Sequence, residues 1–243
     1  MRTGTFIVLL WSLFCSGCKK ENLCDCFKGT GKPVTETRAL SGFNTLWVED
    51  EVNVYITEAP VFEVAVEAGS KLVGLVKTEV QDSVLKIRND NKCDAFRNYK
   101  KGTINVHVKM PAVAGIRQYG QGTIRGVNTL TTPIIDIVTK ASGDVILAVD
   151  NQKVLTHMHN TSDIYLSGKT GEHACFFLHY GFMYAGGLQT SYTWIYSNAT
   201  GNAYVHASNL LVAKLVSTGD VYYSGDPPSV QQEIHGSGKL IPQ

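Results

Sequence analysis

The chain has 243 residues, of which 22 are Lys or Arg and 21 are Asp or Glu, and 44% of it is hydrophobic. A net charge of +1 with no basic block excludes the electrostatic footprint of a nucleic-acid binder. The length suits one large domain or two tightly packed pieces.

In chain order, Arg2 is followed by the apolar run Phe6-Ile7-Val8-Leu9-Leu10-Trp11-Ser12-Leu13-Phe14 and then Cys15-Ser16-Gly17-Cys18. The run is too short to span a bilayer and has the layout of a secretory signal. Ser16-Gly17-Cys18 resembles a bacterial lipobox, with Cys15 standing where Leu is usual. The expectation is a signal peptide over residues 1–17, lipidation of Cys18 and a tether over residues 18–32. Two acyl chains hold a protein on a membrane where one is marginal. Lys19 in place of Asp, by resemblance to other Gram-negative lipoproteins, favours the outer membrane of the cell envelope. Lys20-Glu21 is a faint version of the acidic export tag of surface lipoproteins in Bacteroidetes.

An exported chain meets an oxidising compartment, where disulfides persist. Cys24-Asp25-Cys26 is too short a loop to bridge itself, so one of its cysteines joins Cys93. The expected pair is Cys26 and Cys93, because Phe27 helps dock the tether, with Cys24 as the open alternative. A Cys-x-Cys with one distant Cys also suits a metal, but no nearby His completes a set of four, so no metal site is expected.

Residues 33–115 alternate as half-buried strands: Val52-Asn53-Val54-Tyr55-Ile56, Glu63-Val64-Ala65-Val66-Glu67, Val84-Leu85-Lys86-Ile87 and Ile104-Asn105-Val106-His107-Val108. They read as an N-terminal β-rich cap and first coils, since a β-stack must cover its open strand edges.

From residue 116 to 243 a small turn recurs seven times: Gly122-Thr123-Ile124, Gly143-Asp144-Val145, Ser162-Asp163-Ile164, Gly181-Phe182-Met183, Gly201-Asn202-Ala203, Gly219-Asp220-Val221 and Gly238-Lys239-Leu240. Their first residues are separated by 21, 19, 19, 20, 18 and 19 positions. A near-constant period signals stacked coils. The third residue of every turn is apolar, and six residues before each turn stand Ile116, Ile137, Thr156, Cys175, Ile195, Ala213 and Gln232, mostly apolar or small. Even offsets share a strand face, so both sets point inward. Cys175, on this face, reads as a buried free thiol. The intervals are rich in Thr, Val, Ile and Tyr and lack a leucine-rich-repeat pattern, which predicts strands. The fold expected is all-β, a right-handed parallel β-helix-like stack. Gly at the turns is expected to supply positive φ at the bend between sheets.

Cys26-Phe27-Lys28-Gly29-Thr30-Gly31-Lys32 leading to Thr37-Arg38 and Phe43, then Val52-Asn53-Val54-Tyr55-Ile56, Leu85-Lys86-Ile87 with Asn91-Lys92-Cys93, and the serial Ser-Gly-Asp-Val turns carry a resemblance. Over roughly residues 30 to 240 the chain resembles the putative auto-transporter adhesin, head GIN domain family of bacterial envelope lipoproteins. The resemblance implies a β-helical, extracytoplasmic protein and supplies no active site.

Three residues after the turn starts, Tyr165, Tyr184, Tyr204 and Tyr222 recur at one outward offset, with Arg125, Ile146 and Ile241 on the other rungs. Strands about 4.8 Å apart stack such rings. The stripe is the candidate binding surface, for a glycan or a surface protein, although stacked identical rings also stabilise a sheet. His157, Phe176 and Tyr196 share a second outward offset. Asp144 and Asp163 lie one rung apart and suggest glycosidase chemistry or calcium, but polar residues after a turn Gly are ordinary and Phe182 breaks the set. His157 and His159 share a strand face without a third ligand. Gly186-Gly187 and Gly236-Ser237-Gly238 lead into no helix, so neither resembles a phosphate loop.

The reading is therefore a lipid-anchored, non-catalytic envelope protein with an adhesive or ligand-binding role, without catalytic residues, metal or cofactor. The alternatives are a polysaccharide-acting lyase or hydrolase on a β-helix and a purely structural spacer.

Overall fold

The computed structural model describes residues 29–91 and 103–243. The expectations at Cys18, Cys24, Cys26 and Cys93, with the signal peptide and most of the tether, lie outside the described residues. The first half forms β1 (Pro33–Arg38), β2 (Thr45–Val48), β3 (Asn53–Glu58), β4 (Glu63–Gly69), β5 (Val76–Gln81), β6 (Val84–Asn89) and β7 (Asn105–Met110), with a 3-10 turn at Val73–Leu75. The second half forms β8 (Gly115–Gln118), β9 (Ile124–Gly126), β10 (Ile134–Thr139), β11 (Val145–Met158), β12 (Ile164–His179) and β13 (Met183–Ala199). It ends with β14 (Ala203–His206), β15 (Leu210–Leu215), β16 (Val221–Ser224), β17 (Ser229–Ile234) and β18 (Leu240–Pro242).

From β8 onward every named pairing is parallel, and the coils stack as a β-solenoid. Both inward columns expected from the period are adjacent in register. One runs Ile124, Val145, Ile164, Met183, Ala203, Val221 and Leu240. The other runs Ile116, Ile137, Thr156, Cys175, Ile195, Ala213 and Gln232. All are buried except the last of each, where Leu240 is half-buried and Gln232 exposed. A rung buries its apolar face only against a neighbour, and among the described residues no strand covers the last one.

The first half stacks out of chain order. The layer of β2 and β3 lies between β6 and β7 on one side and β8 and β9 on the other, all in parallel pairing. Beyond it, β5 runs antiparallel to β6, β4 to β7 and β1 to β4. After β1 on the outer edge, the chain lays down the inner layer of β2 and β3, folds back through β4 to β7 to close the end, and then crosses to the far side to wind the repeats. Polar strands such as β1, exposed along nearly its whole length, form the outer edge of this end, as edge strands of soluble proteins do.

The turn glycines correct one expectation. Among the described glycines, positive φ occurs at Gly31, Gly42, Gly168 and Gly225 and at none of the repeat turns, whereas Asn160 and His179, two positions before Ser162 and Gly181, do adopt it. Glycine is demanded at the repeat turns by crowding between rungs: an added Cβ at Gly122 would lie 2.1 Å from the Val52 carbonyl oxygen, and at Gly201 1.9 Å from that of Gly181. Ser162, the one exception, is buried with its hydroxyl donating to Thr139 Oγ1 at 2.6 Å.

The interior also holds polar groups. Cys175 is a buried free thiol, as its column position implies, and burial pushes its pKa up to about 12. His173 is buried with Nε2 3.1 Å from Thr156 Oγ1, and burial lowers its pKa to about 4. In the unfolded chain the imidazole titrates near its ordinary value of 6.5. Below that pH the unfolded state takes a proton that the folded state refuses, so this contribution is complete above pH 6.5 and is lost as pH falls toward 4. The loss is on the order of 3 kcal/mol. Thermal melts of wild type should therefore drop across this window, and His173→Gln should flatten the drop. Parallel pH curves for the two proteins would contradict the assignment.

Candidate binding surface

Outward positions alternate with the buried columns, so the same parity that builds the core builds the surface. The column at the stripe offset runs His107, Tyr55, Arg125, Ile146, Tyr165, Tyr184, Tyr204, Tyr222 and Ile241. The structure brings the four predicted tyrosines together as adjacent, stacked rings. Centroids are 4.7 Å apart for Tyr165 and Tyr184, 5.6 Å for Tyr184 and Tyr204 and 5.0 Å for Tyr204 and Tyr222, with ring planes within 11° of parallel. Stacking covers the faces of the inner rings. What the stripe offers is therefore a row of hydroxyls and ring edges at rung spacing. Burial, with the Asp163 carboxylate next, raises the phenol pKa values of Tyr165 and Tyr184, so both remain hydrogen-bond donors.

Across the face from the stripe, Asp150, Lys169 and Gln189 stand in register, with Lys169 Nζ 3.2 Å from Asp150. Small residues Ala148, Ser167 and Gly187 lie between the two ridges. A register shift between Tyr165 and Ser167 accommodates Gly186. An open depression of about 350 Å³ lies at the second ridge, with a lining that includes Thr129, Val149, Asp150, Gly168, Lys169 and Gln189 and none of the stripe tyrosines.

Asp144 and Asp163 are brought together, but for a structural purpose. Asp144 Oδ1 accepts from the Asp163 N–H at 3.0 Å, and Asp163 Oδ1 accepts from the Phe182 N–H at 2.8 Å. The same bond recurs from Thr123 N–H to Asn53, from Asp220 N–H to Asn202 and from Lys239 N–H to Asp220. Asp144, Asp163, Asn202 and Asp220, and Asn53 in the first half, thus each close the backbone of the next rung. Burial and the neighbouring Asp144 raise the Asp163 pKa, against the lowering effect of the Phe182 N–H.

Phe182 breaks this ladder. It donates its N–H to Asp163 but has no side-chain oxygen for the rung above. Its ring is instead 39% exposed, and Tyr180, on the other side of Gly181, is 64% exposed. Phe182 also lies 6.0 Å from Tyr184, which joins it to the stripe. The signal stood in the sequence: the residues before the other turn starts are Gln121, Ser142, Thr161, Thr200, Thr218 and Ser237, all polar, and Tyr180 interrupts them. A turn that gives up a recurrent hydrogen bond for an exposed ring departs from the local rule in the way that functional positions do.

The second outward column also forms, with His157 stacked on Phe176 at 4.8 Å and Phe176 packed at 4.7 Å against Trp194, a neighbour not foreseen from the period. His159 faces His179 at 6.0 Å rather than a ligand set. Burial, Lys140 and the two neighbouring imidazoles lower its pKa. No group of three metal-ligating side chains occurs among the described residues.

Among solved structures, the chain is similar to a putative adhesin from Bacteroides fragilis, at 24% identity and a TM-score of 0.79 over 87% of this chain and 97% of that one. A putative adhesin from Parabacteroides distasonis matches at 20% identity and a TM-score of 0.70, covering 88% and 98%. A putative lipid binding protein from the same species matches at 17% identity and a TM-score of 0.66, covering 87% and 98%. These likenesses show the shared fold. No curated protein matches the chain. The family match covers residues 42–227, which include the inner layers and the turns from Gly122 to Gly219, and the chain belongs to the family described as putative auto-transporter adhesin, head GIN domain.

Proposed function

We propose that this chain is a lipid-anchored, non-catalytic binding protein of the bacterial cell envelope, held on the outer membrane through Cys18 and contacting a surface glycan or surface protein with Tyr165, Tyr184, Tyr204 and Tyr222. The observation that carries the reading is the exposed aromatic turn beside the stripe, where Tyr180 and Phe182 replace the polar residues of the other turns. Exposed rings clustered on a rigid scaffold supply contact area at low entropic cost. The polysaccharide-enzyme reading loses its main support, since Asp144 and Asp163 serve as backbone acceptors.

The stripe and the turn respond differently to mutation. Phe182→Asn restores the missing turn acceptor and should raise stability by about 0.5 to 1 kcal/mol, while removing a contact ring. Tyr184→Ala, between two stacked neighbours, should lose stability and about 1 to 2 kcal/mol of affinity. Binding is read on a glycan array and on immobilised outer-membrane proteins, with melting temperature on the same samples. Unchanged binding by both variants would defeat the reading. For the anchor, Cys18→Ala should move the protein from the membrane fraction to the soluble fraction, and unchanged partitioning would refute lipidation at that residue.

A further inference from the structure

The two ends of the solenoid are finished differently. At the N-terminal end the stack closes with antiparallel strands whose outer members carry charge. Glu36 and Arg38 pair at 3.1 Å on β1, and Glu79 on β5 pairs with Arg88 at 3.5 Å. Such edges resist further strand pairing. At the C-terminal end β17 pairs with β15 on one side only among the described residues. Its residues Val230, Gln232 and Ile234 continue the buried columns of Leu211, Ala213 and Leu215, yet Val230 is 39% and Ile234 42% exposed. The single charge on this strand, Glu233, is already held by Lys214 at 2.8 Å and by His235.

We propose that β17 pairs antiparallel with β17 of a second copy, joining two solenoids end to end about a two-fold axis at Gln232. The sequence Ser229-Val230-Gln231-Gln232-Glu233-Ile234 is self-complementary in that register. Opposite residues in an antiparallel pair share a face. Val230 then meets the other copy's Ile234 on the interior side, Gln232 meets its own counterpart, and Gln231 meets Glu233 on the outer side. No like charges face each other, and the apolar column continues from one copy into the next. A two-fold centred one residue earlier would set Val230 against Gln232 and lose the apolar pair. Head-to-tail stacking would instead press β17 onto the charged edges of β1 or β5 and grow an open filament rather than a closed pair. Pro242 ends β18 without an N–H to donate, so β17 carries the joint.

Sedimentation of the full chain over a concentration series tests the proposal. Wild type should approach twice the chain mass. Val230→Lys, at a position exposed in the single chain, should leave the melting temperature of the monomer intact and raise the dimer dissociation constant at least tenfold. Gln232→Cys places two thiols across the axis within bridging range and should give a covalent dimer on oxidation, linked through the introduced thiols and identified by peptide mapping against wild type. Val230→Cys should give no such link, because in this register its counterpart lies about 13 Å away along the strand. A monomer at all concentrations, an open polymer, or a dimer that Val230→Lys does not weaken and Gln232→Cys does not trap would each overturn it.

Discussion

Val145→Asp is expected to abolish soluble expression or to remove most of the folding stability. Val145 is fully buried between Ile124 and Ile164 in the inward column. A carboxylate there has no partner and no water, so the rung must either bury an unpaired charge or separate from its neighbours. Either outcome costs several kcal/mol, about 4 or more, against a total stability of about 5 to 15 for a typical domain. Because each rung is stable only through contact with the next, the damage is not confined to one side chain. Val127→Asp is the matched control, with the same residue and replacement at a side chain 60% exposed, and should change stability by about 0.5 kcal/mol or less. Chemical denaturation of both variants decides the matter. Equal losses would mean that the assignment of inner and outer faces is wrong.

Gly201→Ala is expected to cost about 3 kcal/mol, at the upper end for overpacking, because the atom it meets is a backbone oxygen rather than a side chain able to turn away. The new Cβ would lie 1.9 Å from the Gly181 carbonyl oxygen. The residue's own φ is not in the left-handed region, so alanine suits the local backbone and the whole penalty comes from the spacing between rungs. Gly186→Ala provides the contrast. Its Cβ would meet only Tyr204 Cβ at 3.7 Å, an ordinary contact, and the change should stay within about 0.5 kcal/mol. A large loss at Gly186 with none at Gly201 would refute crowding as the reason for the turn glycines.

The period of the second half was enough to place Ile124, Val145, Ile164 and their successors on one inward column, and the four tyrosines on one outward column. In a solenoid, which residues stack is set by counting along the chain, and which face they take is set by the two-residue alternation of a strand; both are local, periodic properties. The aromatic turn at Tyr180 and Phe182 was equally legible, as a break in two polar columns, because an exception to a repeat needs no structure to be noticed. Other features had no such trace. The layer of β2 and β3 between β6 and β7 and β8 and β9 depends on pairings between segments far apart in the chain, where no repeat dictates the order. The turn glycines are read correctly as essential from sequence, but their cause is the approach of a carbonyl from the rung below, a distance along the axis that no spacing in the chain encodes. Asp144 and Asp163 read from sequence as ordinary turn residues rather than a catalytic pair, but which N–H groups their oxygens accept appears only when the next rung is in place. The stacking of the tyrosine rings, by contrast, follows from the rung spacing and is expected from sequence, and only the ring angles and centroid distances come from the structure. Position along a periodic chain is a matter of counting, whereas what a side chain touches is settled only when the rungs are pressed to their final separation.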